Sequence, residues 1–224
     1  YIKIKITNHV LHVILNRPKT KNALNQKMIN ELQKLLYTYS DNNTVQIILI
    51  SSSSNVFCSG ADLTYLKKIR NYNYEENIQD SMSLMILFKT MLQYPKLIIT
   101  KVDGAAIAGG CGLMTASDIV FSTQNSVFGY PEVKIGFMPA LVSTFLVKKI
   151  QETHARELLL TGCIINVNKA KEIGLINYVY ESKIIDEKIN KFISEFLKNT
   201  SKNSIKNTKA IMYDCLDLDQ KLKK

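Results

Sequence analysis

Two stretches of this chain share one design, and that design narrows the fold more than anything else in the sequence. Each is an apolar run that passes into a glycine-containing turn and then into a helix. The first is Val56-Phe57-Cys58-Ser59-Gly60-Ala61-Asp62-Leu63. The second is Val102-Asp103-Gly104-Ala105-Ala106-Ile107-Ala108-Gly109-Gly110-Cys111-Gly112. Glycine lets the backbone adopt positive φ and come close to a ligand. A helix start points free N–H groups outward and adds positive potential. Two such N–H groups converging on one point would stabilise a developing oxyanion. Either turn alone is commonplace and usually serves packing. Both together, followed by Glu132 in the loop Gly129-Tyr130-Pro131-Glu132, point to a site in which a carboxylate moves a proton beside a held oxyanion.

The rest of the chain supplies an α/β frame for these turns. Residues 1–7 alternate Ile2, Ile4 and Ile6 with Lys3, Lys5 and Thr7, the period of a half-buried strand. Residues 10–15 read as its partner across an Asn8-His9 turn. Asn25 is a good helix N-cap, and Met28, Leu32, Leu35, Leu36 and Tyr39 then fall on one helical face. Val45–Ile50, Leu97–Val102, Ile119–Ser122 and Leu175–Tyr180 read as buried strands. Helices are expected from Leu63 and over 78–92, 113–117, 140–150, 153–161, 167–173, 184–197 and 201–222. Thr153 is the expected cap of the 153–161 helix, and Gly174 closes the next. The Tyr/Asn-rich residues 71–77 look like a mobile loop, with Tyr72–Tyr74 a lid over a pocket. No low-complexity linker divides the chain. The first two-thirds alternates strand and helix, and the last third is mostly helical. We expect an α/β core over 1–180 and a C-terminal helical region over 181–224 that packs on it or on a neighbouring subunit.

Composition restricts the partners. The net charge of +10 rests almost wholly on lysine, with only Arg17, Arg70 and Arg156 as arginines. Lysine, asparagine and isoleucine are together abundant, as codon bias in an AT-rich genome would produce. A few lysines on a phosphate-bearing ligand fit the same charge. Nucleic acid is disfavoured, because the lysines are scattered and no RNA-binding or zinc-finger pattern occurs. Cys58, Cys111, Cys163 and Cys215 are far apart and lack metal-ligand spacing, as do His9, His12 and His154. No metal is expected. Small scattered thiols suit a reducing, cytoplasmic setting. No apolar run approaches the ~20 residues of a bilayer helix, and no G-x-S-x-G nucleophile elbow is present. The sequence opens on Tyr1, so its lack of a leader carries little weight.

Four segments together resemble the crotonase (enoyl-CoA hydratase/isomerase) superfamily. They are Asn16-Arg17-Pro18-Lys19 with Asn22-Ala23-Leu24-Asn25, Phe57–Leu63, Asp103–Asp118 and Phe128–Ala140. Their order and spacing match across essentially the whole chain. The resemblance implies a spiral of ββα units with a helical C-terminal region, assembled as a homotrimer or hexamer, and an acyl-coenzyme A substrate with no separate cofactor. It implies that the oxyanion N–H groups are those of Ala61 and Gly109. It makes Lys21 and Ala23 candidates for coenzyme A contact, and places Ser59, Ala61, Asp62 and Leu63 around the adenine and pantetheine. Relatives also usually continue through further C-terminal helical residues, so the helical region is expected to be incomplete.

The chemistry agrees. Removing a thioester α-proton, or adding a nucleophile at the β-carbon, makes an enolate, and two fixed backbone donors stabilise it. Glu132 is the natural acid/base. The departure lies at Gly112, where typical hydratases of the superfamily carry a second glutamate. Gly112 removes that group and is expected to leave space. Three readings stay open. One is a hydratase working with Glu132 alone, since the run Glu132–Ala140 resembles the bacterial methylglutaconyl-CoA hydratase branch. The second is a double-bond isomerase that takes and returns a proton on one face. The third is a binder of acyl-CoA or RNA without turnover. Tyr130 and Ser143 are candidates for a second proton donor or a water holder, with packing the competing role for Tyr130. Asp62 is expected to fix the first turn through backbone hydrogen bonds. Asp118 is expected to be structural, and Cys111 to matter through its backbone.

Overall fold

The computed structural model describes residues 1–62 and 71–215. Its strands, numbered along the chain, form two sheets. The larger contains β1 (Ile2–Thr7), β2 (Val10–Leu15), β3 (Ile47–Ser52), β5 (Leu97–Val102), β7 (Ile119–Thr123) and β10 (Tyr178–Tyr180), in that order. The smaller contains β4 (Val56–Cys58), β6 (Ala105–Ile107), β8 (Val127–Gly129) and β9 (Ile164–Asn166), also in that order. The helices are α1 (Gln26–Ser40), α2 (Tyr74–Gln93), α3 (Gly109–Thr115), α4 (Ala140–Lys149), α5 (Glu152–Thr161), α6 (Val167–Glu172), α7 (Ile185–Asn199) and α8 (Lys202–Asp214).

β1 and β2 form an antiparallel hairpin turned at Asn8 and His9, whose φ values of 49° and 64° suit a tight two-residue turn. From β2 onward the larger sheet is parallel. Such a sheet buries both faces, and β3 shows this residue by residue. Ile48 and Ile50 join the main core with Leu11, Met28, Phe88 and Leu113. Ile47 and Leu49 face the other way, into a second cluster with Ile99, Phe121 and the Ile185, Ile189 and Ile193 stripe of α7. A strand that is apolar at every position is therefore covered on both sides.

Several expectations are met residue by residue. Asn25 caps α1, its side chain accepting from the Met28 N–H at 3.0 Å. Asp118 is structural: it accepts from the Ile98 N–H at 2.7 Å and from Lys209 of α8 at 2.6 Å, joining β5 to the C-terminal helix.

Other expectations fail, each for a local reason. Ile4 and Ile6 are 51% and 44% exposed, because β1 is an edge strand. The 71–77 stretch is not a loop throughout. α2 starts at Tyr74, with Asn73 and Glu76 in a reciprocal capping box, so Tyr74 is an exposed first-turn residue. Thr153 caps nothing; α5 begins one residue earlier, with Gln151 at its N-cap. Most consequentially, the helix expected from Leu113 starts at Gly109. The glycine run is thus the first turn of α3. The helix expected from Leu63 lies outside the described residues. Among the described residues no helix is long and apolar enough to cross a membrane.

Candidate active site

The smaller sheet assembles the site. β4, β6 and β8 are neighbours and parallel, so their C-terminal ends lie side by side. The first turn (59–62) leaves β4, the second (108–112) leaves β6, and the Tyr130–Glu132 loop leaves β8. The open ends of parallel strands are where α/β proteins place ligands. Here three consecutive strands deliver three parts of one site.

The two turns touch, and glycine is what allows it. A Cβ on Gly60, whose φ is +93°, would stand 2.8 Å from Ala108 Cβ and 3.1 Å from the Ile107 carbonyl. A Cβ on Gly110 would stand 2.5 Å from the Cys58 carbonyl. Neither position tolerates a side chain without moving backbone. Ala61 pairs with Leu24 in a parallel bridge, in which the Leu24 N–H donates to Gly60 O at 2.7 Å and the Asp62 N–H to Leu24 O at 3.2 Å. This pattern turns the Ala61 N–H away from Leu24. Gly109 opens α3, and the first intrahelical bond is made later, by the Gly112 N–H to Ala108 O. Its N–H is one of those a helix start leaves to a ligand. Ala108 before it has φ 51° and ψ −128°, a conformation that disfavours a β-carbon. Such strain clusters at functional sites. Its N–H is held by Gly129 O at 2.8 Å, which ties the second turn to the strand leading into Glu132.

Glu132 sits in the short 3-10 helix Pro131–Ile135. Among the described residues its Oε2 is buried without a hydrogen-bond partner. Loss of solvent pushes its carboxyl above the usual range, opposed only by a bond from its own N–H. A buried carboxylate oxygen with nothing to accept is costly to stability, and such groups concentrate where a substrate completes them.

Gly112 gives the clearest correction. The space expected beside it is filled: a Cβ there would lie 2.7 Å from Val142 Cγ2 and 2.8 Å from Phe88 Cζ. Gly112 is buried within α3. At Tyr130 the side chain takes the packing role that competed with proton donation. It is fully buried, and its hydroxyl lies 2.5 Å from Thr115 Oγ1. Burial above all, with Cys111 and Glu132 nearby, holds its phenol well above the usual range, against the opposing effect of the Thr115 hydrogen bond. Ser143 bonds its own helix, to Ala140 O.

The coenzyme A candidates sit beside the first turn. The carbonyl of exposed Lys21 accepts from the Ser59 N–H at 3.1 Å. Ala23 is buried, its N–H bonded to Thr20 O and its carbonyl accepting from Arg17. Leu63 lies outside the described residues. The sequence reading left out what braces these residues. Asp62 pairs with the Arg17 guanidinium at 2.9 Å, the two side chains 14% and 12% exposed. Arg17 thereby locks the Lys21–Ala23 segment onto the oxyanion turn. Asn22, fully buried, accepts from the Arg17 N–H at 2.7 Å and donates to Val56 O at 3.0 Å. The signal was present in the Asn16-Arg17-Pro18 and Asn22-Ala23-Leu24 runs, but spacing alone gave neither partner.

Comparison with known proteins places this geometry. The enoyl-CoA hydratase/isomerase family matches residues 5–224. A Thermus thermophilus protein named for enoyl-CoA hydratase is 36% identical over 205 residues, 91% of this chain and 80% of its own length. Enoyl-CoA hydratase domain-containing protein 3 of Danio rerio is 30% identical over 180 residues, 80% of this chain and 61% of its own length. An enoyl-CoA hydratase crystal structure from Shewanella pealeana superimposes with a TM-score of 0.92 at 28% identity, covering 97% of this chain and 81% of that one. Pseudomonas aeruginosa AtuE gives 0.90 at 26% identity, covering 94% and 82%. The chain spans from about three-fifths to four-fifths of these relatives' lengths. With this fold, two apposed glycine turns and a carboxylate at the end of the neighbouring strand, the chain belongs to the enoyl-CoA hydratase/isomerase family.

Proposed function

We propose that the chain hydrates a 2-enoyl-CoA with Glu132 as its one acid/base and the Ala61 and Gly109 N–H groups as its oxyanion hole. The observation that carries this reading is the orphaned, buried Glu132 Oε2 beyond β8, the neighbour of the strand that leads to Gly109. The thioester oxygen accepts from both N–H groups. Glu132 takes a proton from water as the water oxygen bonds the β-carbon. The double-bond electrons move to form the enolate, held by the two donors. Glu132 then returns the proton to the α-carbon, giving a 3-hydroxyacyl-CoA. One carboxylate performing both transfers requires water and proton to add to the same face. A carboxyl whose pKa is raised by lost solvation suits a group that must both accept and donate.

The packed side chains at Gly112 support a single-carboxylate enzyme, and the Glu132–Ala140 run supports 3-methylglutaconyl-CoA as substrate. The coenzyme A is part of the substrate, with Lys21, Ala23, Ser59, Asp62 and Leu63 around it and no further cofactor. A homotrimer or hexamer in the cytoplasm completes the reading. Double-bond isomerisation is the second reading, because one carboxylate also suffices to move a proton between two carbons on one face. Absorbance assays on crotonyl-CoA and 3-methylglutaconyl-CoA, with wild type and Glu132→Gln, test the first reading. Equal rates in the two proteins would remove Glu132 from the mechanism. Conversion of a 3-enoyl-CoA without hydration would favour the isomerase. Salt-dependent RNA binding with no acyl-CoA turnover would replace both readings with a binding role.

A further inference from the structure

The oxyanion donor Gly109 and the carboxylate Glu132 belong to different segments, yet the chemistry needs them in register. Two hydroxyl groups join those segments in the core. Gly109 opens α3 and Thr115 ends it. Thr115 Oγ1 donates to Cys111 O at 2.8 Å, so its hydrogen is spent within α3. The Tyr130 hydroxyl, 2.5 Å away, therefore donates to Thr115 Oγ1. That bond links α3 to residue 130. Only Pro131 separates Tyr130 from Glu132, and its ring fixes φ near −65°. On the other side, Thr115 stands six helical steps from Gly109, a rigid rise of about 9 Å. The Thr115 carbonyl is held in turn by Lys149 Nζ of α4 at 2.8 Å. Every link from Gly109 to Glu132 is thus a helix, a short hydrogen bond or a proline.

Packing does not require these polar groups. Phenylalanine at 130 and valine at 115 would fill nearly the same volume, and replacing both partners of a buried hydrogen bond with apolar groups is close to neutral for stability. What the pair adds is direction. We propose that the Thr115–Tyr130 hydrogen bond is a positioning device that sets the Glu132 carboxylate against the Gly109 oxyanion donor. This inference rests on Glu132 being the acid/base.

The test compares wild type, Tyr130→Phe, Thr115→Val, Thr115→Ser, the double variant Tyr130→Phe/Thr115→Val, and Glu132→Gln. Crotonyl-CoA hydration and 3-hexenoyl-CoA isomerisation are both measured, with pH profiles and thermal melts. A misplacement on the ångström scale costs on the order of 10- to 100-fold in rate. Each single variant is expected to lose that much kcat with KM within about twofold, and to shift the acid limb of the kcat profile as Glu132 changes surroundings. Thr115→Ser keeps the hydroxyl and is expected to restore the rate. The double variant separates positioning from folding. It is expected to melt at or above either single variant while staying as slow as the slower one, since the two residues act as a unit. A double variant with wild-type kcat would overturn the proposal even if a single variant folded poorly. Wild-type rates in both single variants, with Glu132→Gln inactive, would overturn it while leaving Glu132 in place. Full activity in Glu132→Gln, or no turnover of either substrate by wild type, would overturn the underlying reading and this inference with it.

Discussion

The ring of Phe88 occupies the ground a side chain at Gly112 would need: a Cβ built there lies 2.8 Å from Phe88 Cζ. With Val142 Cγ2 at 2.7 Å on the same Cβ, the second-glutamate position of this fold is built into the core. Gly112→Glu is therefore expected to add no activity. It forces a carboxylate between two apolar side chains, combining overpacking of about 1–3 kcal/mol with the cost of burying a charge. Thermal melting should show a lower Tm, and crotonyl-CoA hydration no gain. A cooperative melt near the wild-type temperature with raised kcat would mean that Phe88 yields easily, and the closed position would have to be abandoned.

Gly60 tests the oxyanion hole from its other side. At φ +93°, with Ala108 Cβ 2.8 Å from any added Cβ, Gly60→Ala must displace either Ala61 or the strained Ala108 turn. Loss of one oxyanion donor costs about 10²–10³ in kcat. Steady-state kinetics should show a fall of that order in kcat, with a smaller change in KM. Unchanged kcat in a folded variant would show that the Ala61 N–H does not hold the developing charge.

The legibility of this chain followed the range of the forces involved. The Asn25 cap is a local pattern, and it lies where the sequence put it. The alternating faces of β3 are local in period, though only the fold shows which cluster each face enters. The glycine turns were legible as turns, because positive φ and close approach leave few alternatives to glycine. Their apposition was not, because it depends on β4 lying beside β6. Partners distant in sequence were also hidden: Arg17 with Asp62, Thr115 with Tyr130, Lys209 with Asp118. At Tyr130 two roles were open, and burial decides for packing. A phenol next to a candidate base suggests a proton donor, but burial turned it into the core.

Arg17 supplies a test of how the coenzyme A segment is braced. Its guanidinium serves Asp62 and the Ala23 carbonyl at once, a fork that the single ammonium of lysine cannot reproduce. Arg17→Lys is expected to raise KM for acyl-CoA more than it lowers kcat, because the Lys21–Ala23 segment loosens while Glu132 stays held by its own loop. Arg17→Ala removes the ion pair from the nearly buried Asp62 carboxylate and the bond to the Ala23 carbonyl, and is expected to destabilise the fold. Chemical denaturation would measure that loss. A KM unchanged in Arg17→Lys would separate the brace from ligand binding.

Glu132 links function to stability through pH. Its carboxyl is pushed above the ordinary 4.5 by lost solvation, so the folded state binds that proton more tightly than the unfolded chain does. Folding then loses stability as pH rises from about 4.5 through the raised value, and above it the penalty is complete. Glu132→Gln cannot ionise and escapes the penalty. The variant is expected to melt above wild type at pH 7.5, with the gap closing as pH falls toward 4. For a half-buried group partly screened by solvent, the gap should be modest. Activity should move the opposite way, with Glu132→Gln losing at least about 10²-fold in kcat. Paired melts at pH 4, 5.5 and 7.5 check the trend. A gap that stays constant across that range, or opens toward acid, would show that the Glu132 oxygen is solvated in the folded protein, and the case for it as the poised base would fall with that result.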